Sequence, residues 1–242
     1  MIKINADIGE GFGCWKANDD EKIIPYLDYA NIACGFHASD PDIMSRCVFL
    51  CKKHNVIIGA HPSFNDKLGF GRRLIPHSIH QIKNLCIYQI GALSYICNFH
   101  QTKCSFVKPH GALYHLMMED LSVFIALIEI IKGIDSNLKL MILSGNSNDK
   151  YLKIADSFGV QLLFESFIDR IYLNNGNLKS RSQENAVITD VDIMKQQYRN
   201  LSDGFVMSDN SRKLTVNSQT ACLHSDNPNA LNFLKSLKKH NL

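Results

Sequence analysis

Four of the ten histidines, His37, His61, His110 and His224, each stand just beyond a short apolar run. With 10 histidines in 242 residues, chance would place about one beside seven such runs. Imidazole serves as general acid or base, as phosphate or substrate ligand, or as metal ligand, and a convergent set of four points to one of these. Carboxylates and cations keep the same company. Asp7 and Glu10 follow the first run and can supply a general base; Glu165, Asp169 and Arg170 follow the sixth. Lys108 ends the fourth run, just before Pro109 and His110, as a cation among apolar neighbours. Arg72 and Arg73, in Gly69-Phe70-Gly71-Arg72-Arg73, present forked guanidinium groups to a carboxylate or phosphate. Asp169 and Arg170 read as an ion pair that orients this rim.

Such residues need elements that bring them together. The apolar runs lie at 2–6, 29–34, 56–60, 104–108, 138–143, 160–164 and 220–223, and stretches of helical periodicity separate them. Asp40-Pro41 and Asn227-Pro228 each place an N-cap before a proline at the first helical position. Ser78 and Gln81 have capping-box spacing and open a helix reaching about residue 100. Further helices fit 119–132, 148–158, 190–200 and 228–239. Turn chemistry at Asn174-Asn175-Gly176-Asn177 reads as a hairpin between 173 and 181. Strand and helix alternate without a linker, which predicts one α/β domain over 1–242 with a parallel sheet. The segment Gly9-Glu10-Gly11-Phe12-Gly13 has neither Walker spacing nor the order of a dinucleotide fingerprint, which favours a closed or nearly closed seven-stranded barrel over an open doubly wound sheet. In a parallel barrel every strand C-terminus opens on one rim, so residues following different strands become neighbours.

Composition excludes other classes. Twenty-six Lys and Arg oppose 23 Asp and Glu, no basic run exceeds two residues, and no aromatics interleave with them, which argues against nucleic acid. The longest apolar stretch, around 124–131, is broken by Glu129 and falls far short of the ~20 residues that span a bilayer. Lys3 and Asp7 interrupt the N-terminus before any signal-like apolar segment, and a cytoplasmic location is expected. The eight cysteines sit in apolar or helical patterns and read as buried free thiols rather than disulfides or a zinc knuckle; Cys47 and Cys51 alone cannot complete a zinc site.

The segments NADIGEGFG (5–13), ANIACGFHASDP (30–41), IGAHPSFNDKLGFGRR (58–73), YQIGAL (88–93), VKPHGALYH (107–115) and FESFIDRIY (164–172) resemble the LamB/YcsF family in colinear order across nearly the whole chain. Ala6, Ser39, Ile168 and Ser225 depart from the family pattern, which has cysteine, glycine, alanine and glycine there. The resemblance implies a seven-stranded β/α barrel of the glycoside hydrolase and deacetylase type. It also implies ATP-dependent opening of 5-oxo-L-proline to L-glutamate by a 5-oxoprolinase in which this family forms the A component, with partner B and C subunits and with ATP and Mg²⁺ as cofactors. The implied catalytic set is Asp7, Glu10, His37, His61, His110, Glu165, Asp169 and His224, with Arg72, Arg73, Lys108 and Arg170 binding substrate. Two rivals stay open. Asp7, His61 and His110 resemble the metal ligands of related barrel deacetylases, which would make the chain a metal-dependent amide hydrolase acting without ATP. A non-catalytic component that only binds substrate is the other, and the oligomeric state is open.

Overall fold

The structure, a computed structural model, describes residues 1–17, 19–145 and 148–238. Six strands, β1 (Lys3–Ile8), β2 (Tyr29–Ala33), β3 (Ile57–His61), β4 (Cys104–Val107), β5 (Lys139–Leu143) and β6 (Gln161–Phe167), are followed by a two-stranded antiparallel sheet of β7 (Phe205–Met207) and β8 (Lys213–Thr215), and then by β9 (Thr220–Cys222). β1 to β6 and β9 close into a seven-stranded barrel in which every neighbouring pair is parallel. The helices are α1 (Asp20–Ile23), α2 (Pro41–Lys53), α3 (Ile79–Phe99), α4 (Gly111–Glu119), α5 (Leu121–Ile134), α6 (Asn148–Phe158), α7 (Val191–Ser202) and α8 (Ala230–Lys238).

Strand side chains alternate between faces, so every second residue points at the barrel axis. The outward set, which includes Ile4, Ile32, Ile58, Leu140 and Ala221, joins the main core under the helices. The inward set begins with an apolar plug of Tyr29, Phe106, Met141 and Leu163. Gly59 makes room for that plug, since a β-carbon there would lie 2.2 Å from the Phe106 ring. The next inward residues are polar and satisfy one another: Asn5 Nδ2 donates to Thr220 Oγ1 (3.1 Å), and Asn31 Nδ2 donates to Asn5 Oδ1 (2.8 Å). One step further along their strands stand Asp7, His61, Lys108, Glu165 and Cys222. The period of two thus delivers the chemical residues to one end.

Helix starts follow the expected caps. The Asp40 carboxylate accepts from the Ile43 amide (2.9 Å), and Ser78 and Gln81 complete both bonds of their capping box. Three expectations change. The helix predicted at 119–132 is α5, which starts at Leu121 with the Asp120 carboxylate accepting from the Ser122 amide (2.8 Å), and it is preceded by α4, which the sequence pattern did not mark. The turn at 173–181 holds only a single antiparallel bridge, Tyr172 to Leu178, and the two-stranded sheet forms later, from β7 and β8. The last helix starts at Ala230, and Lys239, its expected end, lies outside the described residues.

Candidate active site

Asp7, His61, Lys108, His110 and His224 converge on one cavity of about 740 Å³ at the C-terminal end of the barrel, with Glu10, Phe70, Arg72 and Arg170. At its floor the buried Lys108 Nζ lies 3.0 Å from Glu165 Oε2, 3.3 Å from Asp7 Oδ1 and 3.2 Å from Cys222 Sγ. Asn31 Nδ2 donates to the same Asp7 oxygen (2.8 Å). Burial alone would raise the Asp7 carboxyl, but Lys108 and His61 outweigh it and hold it well below the usual carboxylate range. Glu10 goes the other way: burial and the nearby Asp7 charge push it well above its ordinary value. Two carboxylates in one cavity are therefore pulled apart in acidity, the arrangement that separates a fixed charge from a proton carrier.

Behind Glu10 three imidazoles meet. His37 and His110 stack with ring centroids 3.8 Å apart, and His61 meets His110 edge-on. Backbone carbonyls assign the tautomers, because a carbonyl only accepts. His61 Nδ1–H donates to the Lys108 carbonyl (2.6 Å), and His110 Nε2–H donates to the carbonyl of Phe70 (2.9 Å). The remaining nitrogens, His61 Nε2 and His110 Nδ1, then face each other at 2.9 Å. Burial, then the neighbouring rings, lowers His110 well below the usual histidine range, and burial does the same to His37. With no proton on either nitrogen the lone pairs oppose one another at that distance, which a cation between them would relieve.

Glu10 Oε1 lies 3.4 Å from His37 Nε2 and 3.5 Å from His110 Nδ1, and Glu10 Oε1 and His37 Nε2 are buried without a hydrogen-bond partner. Ligand atoms on a tetrahedron with bonds of about 2.0–2.1 Å stand about 3.3 Å apart. Glu10, His37, His61 and His110 therefore fit a divalent metal. The second ring nitrogens of His61 and His110 donate to backbone carbonyls, as those of metal-bound histidines do. This set differs from the one expected. Asp7 touches His61 Nε2 (3.3 Å) but is already engaged by Asn31 and Lys108.

The profile of the LamB/YcsF family matches residues 2–241. The chain belongs to this family. Among its relatives, the A subunit of 5-oxoprolinase from Vibrio cholerae is 45% identical over 238 residues, which cover 98% of this chain and 96% of that one. The 5-oxoprolinase A subunit numbered 2 of Pseudomonas putida is 40% identical over 239 residues, covering 98% and 93%. The crystal structure of a lactam utilization protein from Thermus thermophilus superposes with a TM-score of 0.89 at 33% identity, covering 99% of this chain and 97% of that one.

The LamB/YcsF motifs account for most of the site, but not all expected residues reach the cavity. His37, Glu165 and Asp169 lie behind His110, Lys108 and His224 respectively. Arg73 points away and is tied to Asp66, with Nε donating to Oδ1 (3.0 Å). The expected pairing of Asp169 with Arg170 is replaced: Asp169 accepts from His224 Nδ1 (2.8 Å) and Asn227 Nδ2, whereas Arg170 donates to the carbonyls of Lys179 and Ala186. Arg170 thereby holds the segment after β6 against the cavity. That segment brings Arg181, which no sequence motif marked; with Arg72 it shares Asp226 Oδ2 (3.4 and 2.8 Å) across the mouth. Tyr114, one helical turn after His110, also lines the cavity with a buried hydroxyl. Two departures from the family pattern are accommodated. Ser225 Oγ donates to the Asp7 carbonyl, and Ser39 holds φ +74°, a backbone conformation natural to glycine.

Proposed function

We propose that the chain is the A component of a 5-oxoprolinase, opening 5-oxo-L-proline to L-glutamate in an ATP-dependent reaction shared with partner B and C subunits. The observation that carries this reading is geometric: at the cavity floor the buried Lys108 Nζ lies 3.3 Å from Asp7 Oδ1, and Glu10 Oε1 is buried beside them without a hydrogen-bond partner. The names of the relatives indicate the substrate, and the cationic mouth of Arg72 and Arg181 suits its carboxylate. Amide resonance makes a lactam carbonyl a poor electrophile. Transfer of the γ-phosphoryl group of ATP to the lactam oxygen activates that carbon. As water adds, the ring C–N bond breaks and leaves an acyl phosphate that a second water hydrolyses to glutamate and phosphate. Lys108 offsets the negative charge developing on oxygen, and Glu10 takes a proton from water and passes it to the departing nitrogen.

The glycine-rich turn does not suit ATP, because the amides of Gly9, Phe12 and Gly13 already donate to Asp20, the Trp15 carbonyl and Asp40. We therefore assign the nucleotide to the partner subunits. A divalent metal would be held by Glu10, His37, His61 and His110, and when bound it would activate water. Their opposed lone pairs favour this as the second reading, a metal-dependent amide hydrolase. Glutamate formation is measured with the chain alone and with the B and C subunits, in the presence and absence of ATP and Mg²⁺. Glutamate only from the full, ATP-supplied mixture is expected; robust ATP-independent turnover by the chain alone, lost on chelation, would replace this reading with the metal hydrolase. Substrate binding without turnover, together with full complex activity in Glu10→Gln and Lys108→Met variants, would leave a chain that only binds.

A further inference from the structure

We propose that the outer face of α3 is the interface of a two-fold symmetric dimer of this chain. The helix spans 21 residues, and its single charged side chain, Lys83, turns aside to Glu129 of α5. What faces outward is aromatic. Tyr88, Tyr95 and Phe99 are 65%, 78% and 82% exposed, with Ile87 beside them and Phe49 contributed by α2. Charge depletion with aromatic enrichment is the composition of an interface core rather than of ordinary solvated surface.

The order of residues identifies the occupant. Asn84, Tyr88, Gly91, Tyr95 and Asn98 follow one another at spacings of 4, 3, 4 and 3, the seam along which one helix packs lengthwise on another. Read from either end the order of residue types is the same, Asn, Tyr, Gly, Tyr, Asn, with spacings that differ by one residue. Two antiparallel copies related by an axis close to Gly91 face Asn84 with Asn98 and, to within half a residue along the helix, Tyr88 with Tyr95, each contact made twice, as an isologous interface requires. A different polypeptide has no need of this palindrome.

Gly91 adds an independent argument. A β-carbon at this position meets nothing within 4 Å, so no neighbour in the chain calls for glycine in mid-helix, where it weakens the helix. A second helix crossing there does call for it, because the bare backbone receives the partner's tyrosines. Tyr88 is held ready by stacking on Phe36, centroid to centroid 5.4 Å. At about 200 Å² for a full ring, the exposed parts of the four aromatics offer roughly 550 Å². Ile87, the asparagines and the flanking turns bring this near the ~800 Å² per partner of a stable interface.

Sedimentation equilibrium of the purified chain between about 1 and 100 µM is expected to show a dimer. Tyr95→Glu should raise the dissociation constant at least ~100-fold while the far-UV circular dichroism is unchanged. Gly91→Cys, lying close to the axis, should form under mild oxidation a disulfide that peptide mapping locates between the two substituted positions. A monomer at the highest concentration would overturn the proposal, as would a dimer indifferent to Tyr95→Glu. Cross-linking through Cys14 alone, or a face that Tyr95→Glu shows to bind a different protein instead, would do the same.

Discussion

At the scale of single residues, the cations divide by where they point. Arg72 and Arg181 share one carboxylate at the cavity mouth, whereas Arg73 spends its charge on Asp66 outside it. A hydrogen bond to a charged group contributes ~1.5 to 3 kcal/mol, so Arg72→Ala and Arg181→Ala should each lower kcat/KM of the assembled enzyme roughly 10- to 150-fold. Arg73→Ala should leave it within about twofold, and steady-state kinetics of the three variants checks the division. Asp20 carries a pH-dependent cost. Burial raises its carboxyl from 3.8 to about 6, against the Gly9 amide and the Cys47 thiol, which donate to it among the described residues. A carboxyl whose folded pKa exceeds its unfolded value stabilises while protonated, and the contribution is lost as pH rises through about 6. Asp20→Asn should therefore stabilise the fold by about 1–3 kcal/mol at pH 7.5, with the gain shrinking toward pH 4. Urea midpoints of both proteins across that range test the sign.

At the scale of elements, Gly59 and Phe106 form one fitted pair across β3 and β4. Gly59→Ala should cost more than about 2 kcal/mol, because the ring cannot yield inside a closed barrel. Adding Phe106→Leu should recover part of the loss, which a double-mutant cycle by urea denaturation would measure as coupling. The barrel strands were legible because most of their residues are buried on both faces, so β5 and β6 carry the short apolar runs 140–143 and 162–164, too short for a helix period. The caps of α2 and α3 were legible because Asp40 and Ser78 act within three residues of themselves. α4 was hidden, since it is only nine residues long, opens on a glycine and has no side-chain N-cap bond to mark its start. The β7–β8 pair was hidden because strands of three residues leave no periodicity to read. Within the site, the histidines announced themselves by following strands. Tyr114 and Arg181 did not: one arrives a turn into α4, and the other arrives on an irregular segment that Arg170 holds in place.

At the scale of the whole molecule, seven of the eight thiols are buried and only Cys14 is exposed. Burial pushes Cys86, Cys97 and Cys104 up to about 12, which removes the thiolate as well as the access. An aromatic disulfide reagent should titrate close to one thiol in the native protein and eight after denaturation; rapid loss of more than two would show that the barrel opens readily. β9 has a consequence in time. It pairs with β6 on one side and β1 on the other, so the ring is joined by residues 220–222. A ribosome emitting the chain delivers six barrel strands, four ligand-bearing loops and most of the helices before the strand that locks them. Throughout that interval the nascent sheet keeps two unpaired edges, each able to recruit a neighbour on the same polysome. His224 and Asp226 leave the tunnel directly behind the locking strand, so the barrel acquires its shape and the last of its chemistry together.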